Sequence, residues 1–306
     1  MSNQFQFKTL TEFTDFFRDE ETCVKHFTAT RFANGEYCPH CGNGKIHLFA
    51  NGKRYRCAGC KQDFTIRTNT VFGESKLPLR KWFMAVYLLS NSSKGISSVQ
   101  LAKHLGVTQK TAWFMAHRIR KAHRDNKGLL VGTVEADETY VGGKGKNMHA
   151  SKRKEFRGAR GTVNKSIVFG AKSRDGEIRA QVITGTGACE LQSALADTVA
   201  KGATLYTDNN VGYRNVQGYT HTSVDHSHGE YVQGDAHTNG IESFWAVFKR
   251  GYHGVYHHMS KKHLDRYVDE FTFRFNRRKT GMQNVFTDVV SSIVRGPKLP
   301  YKTLTA

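Results

Sequence analysis

Residues 132–143 read GTVEADETYVGG and gather three carboxylates, Glu135, Asp137 and Glu138, into four positions. Val134, Thr139, Tyr140 and Val141 around them suit a β-strand. A strand alternates its faces, so Glu135 and Asp137 point one way and Glu138 the other. The rest of the chain is strongly basic, with 46 Lys+Arg against 26 Asp+Glu and a formal net charge of +20 over 306 residues. Clustered carboxylates repel one another unless something positive joins them. What joins them depends on what the chain is built to meet.

A charge excess of this size describes partners rather than fold. The commonest cellular polyanion is nucleic acid, which makes it the leading partner. An anionic membrane surface would call for a basic amphipathic helix or a lipidation signal, and the termini show neither. No apolar run approaches the roughly 18 residues of a membrane span. The opening MSNQFQFKTLTEF lacks a basic segment followed by an apolar one, so a cytosolic chain is expected. The length allows two or three domains. A hydrophobic share of 38% with 24% charged residues is ordinary for a folded protein.

Downstream of the acidic strand, SIVFGAKSRDGEIRAQVIT (166–184) reads as a hairpin turning at Asp175-Gly176. A helix is expected around residues 190–200, a strand over ATLYTD (203–208), then a looser stretch to Thr238. IESFWAVFKRG (241–251) places Ile241, Phe244, Trp245 and Phe248 on one helical face, and a last helix is expected over about 262–278. Between the first two strands, residues 142–165 hold eight Lys/Arg and one Glu, the composition of a mobile basic loop.

Upstream, Phe13, Phe16, Phe17, Val24 and Phe27 recur at helical spacing, with Cys23 among them as a buried core thiol. Pro78 suits a first helical turn, and Leu79, Trp82, Phe83, Val86 and Tyr87 would form the buried face behind it. Residues 96–123 read as two helices about a tight turn at Gly106-Val107, with Thr108 capping the second. In a helix-turn-helix unit the second helix offers its N-terminal residues to base edges in the major groove. Here those residues are Gln109, Lys110 and Thr111, packed from behind by Ala102, Leu105 and Val107. An ordinary helical hairpin inside a core is the alternative.

Four of the six cysteines follow the spacing C-x2-C-x15-C-x2-C: Cys38, Cys41, Cys57 and Cys60. Two knuckles joined by a hairpin can set four thiolates on a tetrahedron around Zn2+. Four sulfur ligands leave no open position, so the ion would be structural, one per chain, and would fold its small lobe. An iron centre or redox thiols are the alternatives. Lys45, Lys53, Arg54 and Arg56 decorate the lobe, as phosphate contacts or as a solvated face.

In a chain that meets nucleic acid, the cation joining clustered acids is usually divalent. Mg2+ prefers oxygen ligands and keeps positions open for water and phosphate. Two such ions can clamp the attacking and leaving oxygens of a phosphodiester. Further acids must then come from elsewhere. Asp208 ends a strand 71 positions after Asp137, and Glu242 lies 34 positions later near the start of an amphipathic helix. Lys249, two turns beyond Glu242, shares its face and can hold a phosphate. Asp137, Asp208 and Glu242 are therefore the candidate ligands of two Mg2+ or Mn2+ ions, with Glu135 and Glu138 as alternative members. Asp208 could instead cap a turn with Asn209, and Glu242 could be a surface helix residue. His237 and Asn239 either line the site or form the first turn of the helix.

The segments VEADETYVGG (134–143), LYTDNNVGY (205–213) and HTNGIESFWAVFKRG (237–251) resemble, in this order, the three catalytic motifs of bacterial insertion-sequence DDE transposases. The Glu242 to Lys249 spacing is similar to a helix motif of several transposase families. The four-cysteine and two-helix segments ahead of them point to the insertion-sequence 1595 family. The resemblance covers about residues 37–279. It implies a multidomain chain: a zinc ribbon with an N-terminal helix (1–72), a helix-turn-helix DNA-binding segment (73–127), and an α/β RNase H-like catalytic domain with a C-terminal helix (128–306).

The reaction it implies has two stages. Water cuts a phosphodiester at the element's end and frees a 3′-hydroxyl, which then attacks a target strand by transesterification, with no covalent protein–DNA intermediate. Double-stranded DNA, at element ends and target, is the expected partner. Gln109, Lys110 and Thr111 would contact it, together with Lys144, Lys146, Lys152, Arg153 and Lys154 of the basic loop. A homo-oligomer on the DNA ends and a cytoplasmic, nucleoid-associated location in a bacterium are expected. Two other readings stand beside this one: a DNA-binding regulator with a retired catalytic domain, and a metal-dependent nuclease that cuts without joining.

Overall fold

The computed structural model describes residues 7–124, 128–143, 149–151, 164–174, 176–224 and 237–305. The chain forms two compact units, Met1–Arg124 with Lys279–Ala306, and Asp125–Arg278.

The first unit opens with α1 (Leu10–Phe16) and α2 (Glu20–Arg31), where the sequence suggests one helical run. A capping box of Thr9 and Glu12 starts α1, and the Asp19 carboxylate accepts the Thr22 N–H to start α2 afresh after Phe17. A three-stranded antiparallel sheet follows, β1 (Ile46–Leu48), β2 (Tyr55–Cys57) and β3 (Asp63–Phe64). It carries little apolar surface of its own. Tyr55 stacks on Phe64 with ring centroids 5.3 Å apart, and Phe32 at the end of α2 meets the edge of Tyr55. Arg31 of α2, itself buried, donates to the carbonyls of Ile66 and Thr68 just beyond β3.

Pro78 then starts α3 (Leu79–Asn91), whose Leu79, Trp82, Phe83, Val86 and Tyr87 are all buried as their spacing predicts. Next come α4 (Ser98–Leu105) and α5 (Gln109–Ala122). Gly106 between them is left-handed at φ 59°, and the Thr108 hydroxyl accepts the Thr111 N–H to cap α5. Ala102 and Leu105 are buried against α5, and Val107 is half-buried.

The second unit is built on a five-stranded mixed sheet. Its strands are β4 (Thr133–Val141), β5 (Ser166–Ser173), β6 (Ile178–Ile183), β7 (Thr204–Asp208) and β8 (Thr220–Val224), in the order β6-β5-β4-β7-β8. β4, β5 and β6 pair antiparallel, whereas β7 runs parallel to β4 and β8 parallel to β7. Both faces are covered. Val134 and Ala136 of β4 join Phe169, Ala171, Leu191 and Leu195 in a core under α6 (Ala188–Ala196). Val141 and Val168 join Ile241, Phe244, Trp245 and Phe248 of α7 (Asn239–Gly251), and Leu264, Val268 and Phe271 of α8 (Leu264–Asn276), on the other face.

The stretch 209–238, expected to be loose, contains a 3-10 turn at Val211–Tyr213 and the edge strand β8. Asp175 of the hairpin turn lies outside the described residues, while Gly176 has the left-handed φ of 116° that the turn requires.

After α8 the chain returns to the first unit, which corrects the expected catalytic domain of 128–306. α9 (Met282–Arg295) buries Val285, Phe286, Val289, Val290 and Ile293. Phe286 makes ring contacts with Phe7, Phe13, Phe17 and Phe83. An aromatic cluster this dense needs α9 to close it, so 279–306 belong with the N-terminal elements. For the same reason residues 1–72 and 73–124 form one compact unit, without the expected break near 72. A short α10 (Tyr301–Thr305) ends the description. Among the described residues, no helix is long and apolar enough to cross a membrane.

Candidate active site

The alternation of β4 sorts its three acids. Val134 and Ala136 face α6, so Glu135 and Asp137 face α7, and Glu138 faces the α6 side with Tyr213. β4 and β7 pair in parallel up to Glu135↔Tyr206, and continuing that register sets Asp137 level with Asp208 at the C-terminal end of β7. Crevices at the carboxyl ends of parallel strands are the ordinary place for sites on such sheets.

A cleft of about 410 Å³ opens here, lined by Asp137, Glu138, Thr139, Asp208, Thr238, Glu242, Trp245, Ala246 and Lys249. It brings together all four residues singled out for chemistry: Asp137, Asp208, Glu242 and Lys249. Glu242 sits in the first turn of α7, where its carboxylate accepts the Thr238 hydroxyl at 3.0 Å, and Lys249 stands in the last turn.

The cleft concentrates negative charge. Burial, together with the charges of Asp208 and Glu138, pushes the Asp137 carboxyl from its ordinary 3.8 up to about 7. Burial and Asp208 also raise Glu138, against the lowering effect of its two donors. Those donors are the Tyr213 hydroxyl, at 2.8 Å, and the Asn210 side-chain amide. Tyr213 is fully buried, so Glu138 is braced from behind. A bound cation would relieve this crowding, which is the fit expected of a hard-metal site. Among the described residues only the cysteines bring three or more ligand atoms within 4.8 Å of one another; the acids spread more widely.

Gly170, which escaped the sequence reading, shapes the cleft with Trp245, read there only as part of an apolar face. Gly170 stands opposite Asp137 in the β4–β5 ladder. A Cβ there would come within 2.7 Å of the Trp245 ring, so the missing side chain is what lets the indole lie across the sheet. The indole N–H thereby faces Asp137 and helps to offset the rise in its pKa, without closing to a full hydrogen bond. Asn239 opens α7, whereas His237 lies just ahead of its N-cap, Thr238, with Nδ1 3.4 Å from Glu135.

The pKa of Asp137 has a consequence for stability. A carboxyl raised in the folded state binds its proton more tightly there than in the unfolded chain. Its stabilising contribution is full below about pH 4 and is lost as pH rises through about 7. In Mg2+-free buffer the stability of the second unit should therefore fall between about pH 4 and 7, by on the order of 2–4 kcal/mol, and its thermal midpoint should fall with it. Asp137→Asn should flatten this dependence, and added Mg2+ should restore the midpoint more at the higher pH. Calorimetric scans across pH check it, and a slope unchanged in the Asn variant would assign the effect elsewhere.

In the first unit the four cysteines converge as their spacing predicts. The Cys38–Cys60 and Cys41–Cys57 sulfurs are 3.7 and 3.6 Å apart. A tetrahedron of Zn–S bonds near 2.3 Å has edges of about 3.8 Å, so the four thiols fit that ion. The neighbouring sulfurs split the thiols: the backbone N–H of Cys60 is the main cause lowering Cys57 to about 7, whereas, against the Gln62 N–H, burial and the other three sulfurs raise Cys60 to about 12.

At the start of α5, Gln109 and Lys110 are exposed and Thr111 is half-buried. The Gln109 amide donates to Ser98 Oγ at 2.8 Å, and Lys110 lies over the Tyr301 ring at 5.2 Å. From Met115 to Arg120 every residue of α5 is buried, so its exposed residues are those of the first turn. Lys144, Lys146, Lys152, Arg153 and Lys154 lie outside the described residues.

Residues 129–276 match the family model of the ISXO2-like transposase domain, and residues 18–63 that of the transposase zinc-ribbon domain. A relative from Halobacterium salinarum, described as an uncharacterized protein in transposable element ISH50, is 32% identical over 272 residues. The alignment covers 84% of this chain and 91% of the relative. No solved structure matches the chain. The first match spans the acid-lined second unit and the second takes in all four cysteines, in the order the motifs require: the chain belongs to the insertion-sequence 1595 family of transposases.

Proposed function

We propose that the chain is a DNA transposase that cuts phosphodiesters at the ends of its element and joins the freed 3′-hydroxyl to target DNA. The observation that carries this reading is the convergence of Asp137, Asp208, Glu242 and Lys249 on one cleft in a strongly basic chain. Asp137, Asp208 and Glu242 would hold two Mg2+ or Mn2+ ions. When bound, such ions activate the attacking oxygen and stabilise the leaving one. Lys249 would hold a strand's phosphate at the edge of the cleft, positioned for in-line attack. No side chain is needed as a nucleophile. A mixed sheet with its acids on two central, parallel neighbours supports an RNase H-like catalytic domain. The four thiols would hold one structural Zn2+.

The partner is double-stranded DNA, engaged as a homo-oligomer at the element ends, in the cytoplasm at the nucleoid. The α4–α5 pair would read those ends as a helix-turn-helix, since its exposed first turn is the part such units offer to bases. Replacing Gln109, Lys110 and Thr111 together with Ala should erase the preference for element ends over random duplex. Each lost base contact costs about 1–3 kcal/mol. Non-specific binding should survive on Lys144, Lys146, Lys152, Arg153 and Lys154, weakening with salt. Titrations on both DNAs measure this, and equal loss on both would mean that the three residues touch only backbone.

The test of the whole reading is cleavage and strand transfer on labelled candidate ends with Mg2+ or Mn2+. Cutting without joining would favour the nuclease. Binding without metal-dependent cutting on any DNA would favour the regulator.

A further inference from the structure

We propose that Glu135 is a positioning residue: its buried carboxylate pins the first turn of α7 to β4 and so sets where Glu242 stands. This rests on the two-ion reading of the cleft. Glu135 is 1% exposed and precedes Asp137 by two residues on the same strand face. One carboxylate oxygen, Oε2, accepts the backbone N–H of Ile241 at 2.9 Å. The other, Oε1, faces His237 Nδ1 at 3.4 Å and Arg174 Nε at 3.7 Å.

The helix needs this contact because its own cap is missing. Thr238 occupies the N-cap position of α7 but makes no side-chain cap, since its hydroxyl donates to Glu242 instead. The first N–H groups of a helix have no partner within it, and here a carboxylate from another element supplies one. A negative charge at that end also meets the positive pole of the helix.

The approach is as close as glycine allows. A Cβ on Gly240 would come within 2.6 Å of Glu135 Oε2 and 2.7 Å of Lys172 Nζ. Lys172 is the residue directly opposite Glu135 in the β4–β5 ladder. The carboxylate therefore sits among Lys172, Arg174, His237 and the helix N-terminus, which together compensate its burial.

The consequence is geometric. Ile241, whose N–H is held, is the residue before Glu242. β4 thus carries both the first acid, Asp137, and the pin that holds the helix bearing the last one. A two-residue step along one strand face sets their separation. The three acids of residues 132–143 divide their tasks: Glu135 pins, Asp137 lines the cleft, and Glu138 is braced from the opposite face.

Two substitutions separate positioning from bulk stability. Glu135→Gln keeps the length and an acceptor oxygen but loses the charge. Glu135→Asp keeps the charge but withdraws the acceptor by one methylene. If reach is what matters, zinc-loaded Glu135→Asp binds Mn2+ at least tenfold more weakly by calorimetry and loses strand transfer in proportion. Glu135→Gln then stays within about threefold on both measures, although its thermal midpoint falls further than that of the Asp variant, because it removes the negative charge that Lys172, Arg174 and the N-terminus of α7 face. This inversion of rank between midpoint and metal affinity is the expected result. Metal affinity that follows the midpoint in both variants would overturn the proposal and leave Glu135 a purely structural charge. Hydrogen exchange at the Ile241 amide gives an independent reading, protected in the unmutated protein and in the Gln variant, and exposed in the Asp variant. If the unmutated protein binds no Mn2+, the two-ion reading is what has failed. The Ile241 amide then judges the pin alone, and equal protection in all three proteins overturns it.

Discussion

Asp137→Asn, Asp208→Asn and Glu242→Gln should each give a folded, zinc-loaded, end-binding protein that cuts and joins strands roughly a thousandfold more slowly, or worse. An amide keeps the shape of the side chain and removes the charge that a hard cation needs. The fold should tolerate the change. Burial already raises the Asp137 carboxyl to about 7 in the metal-free cleft, so a neutral side chain there costs the fold little. Glu242 is exposed on α7 and Asp208 ends its strand, so neither anchors the core. Controls come from the same cleft. Glu138→Gln should be milder, within about tenfold of the unmutated rate, because its oxygens are engaged by Asn210 and Tyr213. Lys249→Ala should lie between, since it meets a phosphate and holds no ion. Cleavage and joining on a labelled end, with a chelator blank, measures all five. Near-normal joining by Glu242→Gln beside a dead Glu138→Gln would move the last ligand to Glu138.

What the sequence made legible, and what it hid, follows from the range of each signal. The acids of β4 and the apolar stripe of α7 are local patterns, and the structure carries both where their periods place them. The convergence of Asp137, Asp208 and Glu242 needed the ordered motifs as well, because no local pattern says which strand neighbours which. The edge strand β8, THTSV, was invisible for a different reason. Only Val224 of its five residues is buried, so it shows no apolar alternation, and its pairing with β7 is its main support. The spacing of Val285, Phe286, Val289, Val290 and Ile293 announces α9 but carries no chemical motif. Its destination was not readable in any case, since an apolar helix face does not say which core it completes. The contacts that shape the cleft, Trp245 over Gly170 and Ile241 on Glu135, join residues far apart in sequence, 106 positions in the second case. A glycine in a strand or a glutamate beside an aspartate carries no mark of such a role.

Loss of the zinc ligands should produce the second large effect, confined to one lobe. The three strands of that lobe hold eight residues together, and their buried side chains are Tyr55, Cys57 and Phe64. So small a sheet does not hold itself together by burial. Structural Zn2+ contributes about 10–16 kcal/mol in comparable sites, which exceeds anything these contacts supply. Cys38→Ser should therefore lower the zinc content from one ion per chain to none. It should also open residues 37–64 to proteolysis and weaken end binding at least tenfold, if the ribbon helps to hold the ends. The second unit should keep its own thermal midpoint, because it is a separate compact unit with both sheet faces covered by its own helices. The first unit should be loosened rather than lost. Its aromatic cluster around Phe13, Phe83 and Phe286 does not include the strands, and Arg31 and Phe32 are what tie the lobe to α2. Metal analysis of the purified protein, limited proteolysis mapped by mass, and two-transition calorimetry read these outcomes separately. An unmutated protein that carries no zinc, together with a Cys38→Ser variant that resists protease as well as it does, would return the four thiols to redox chemistry.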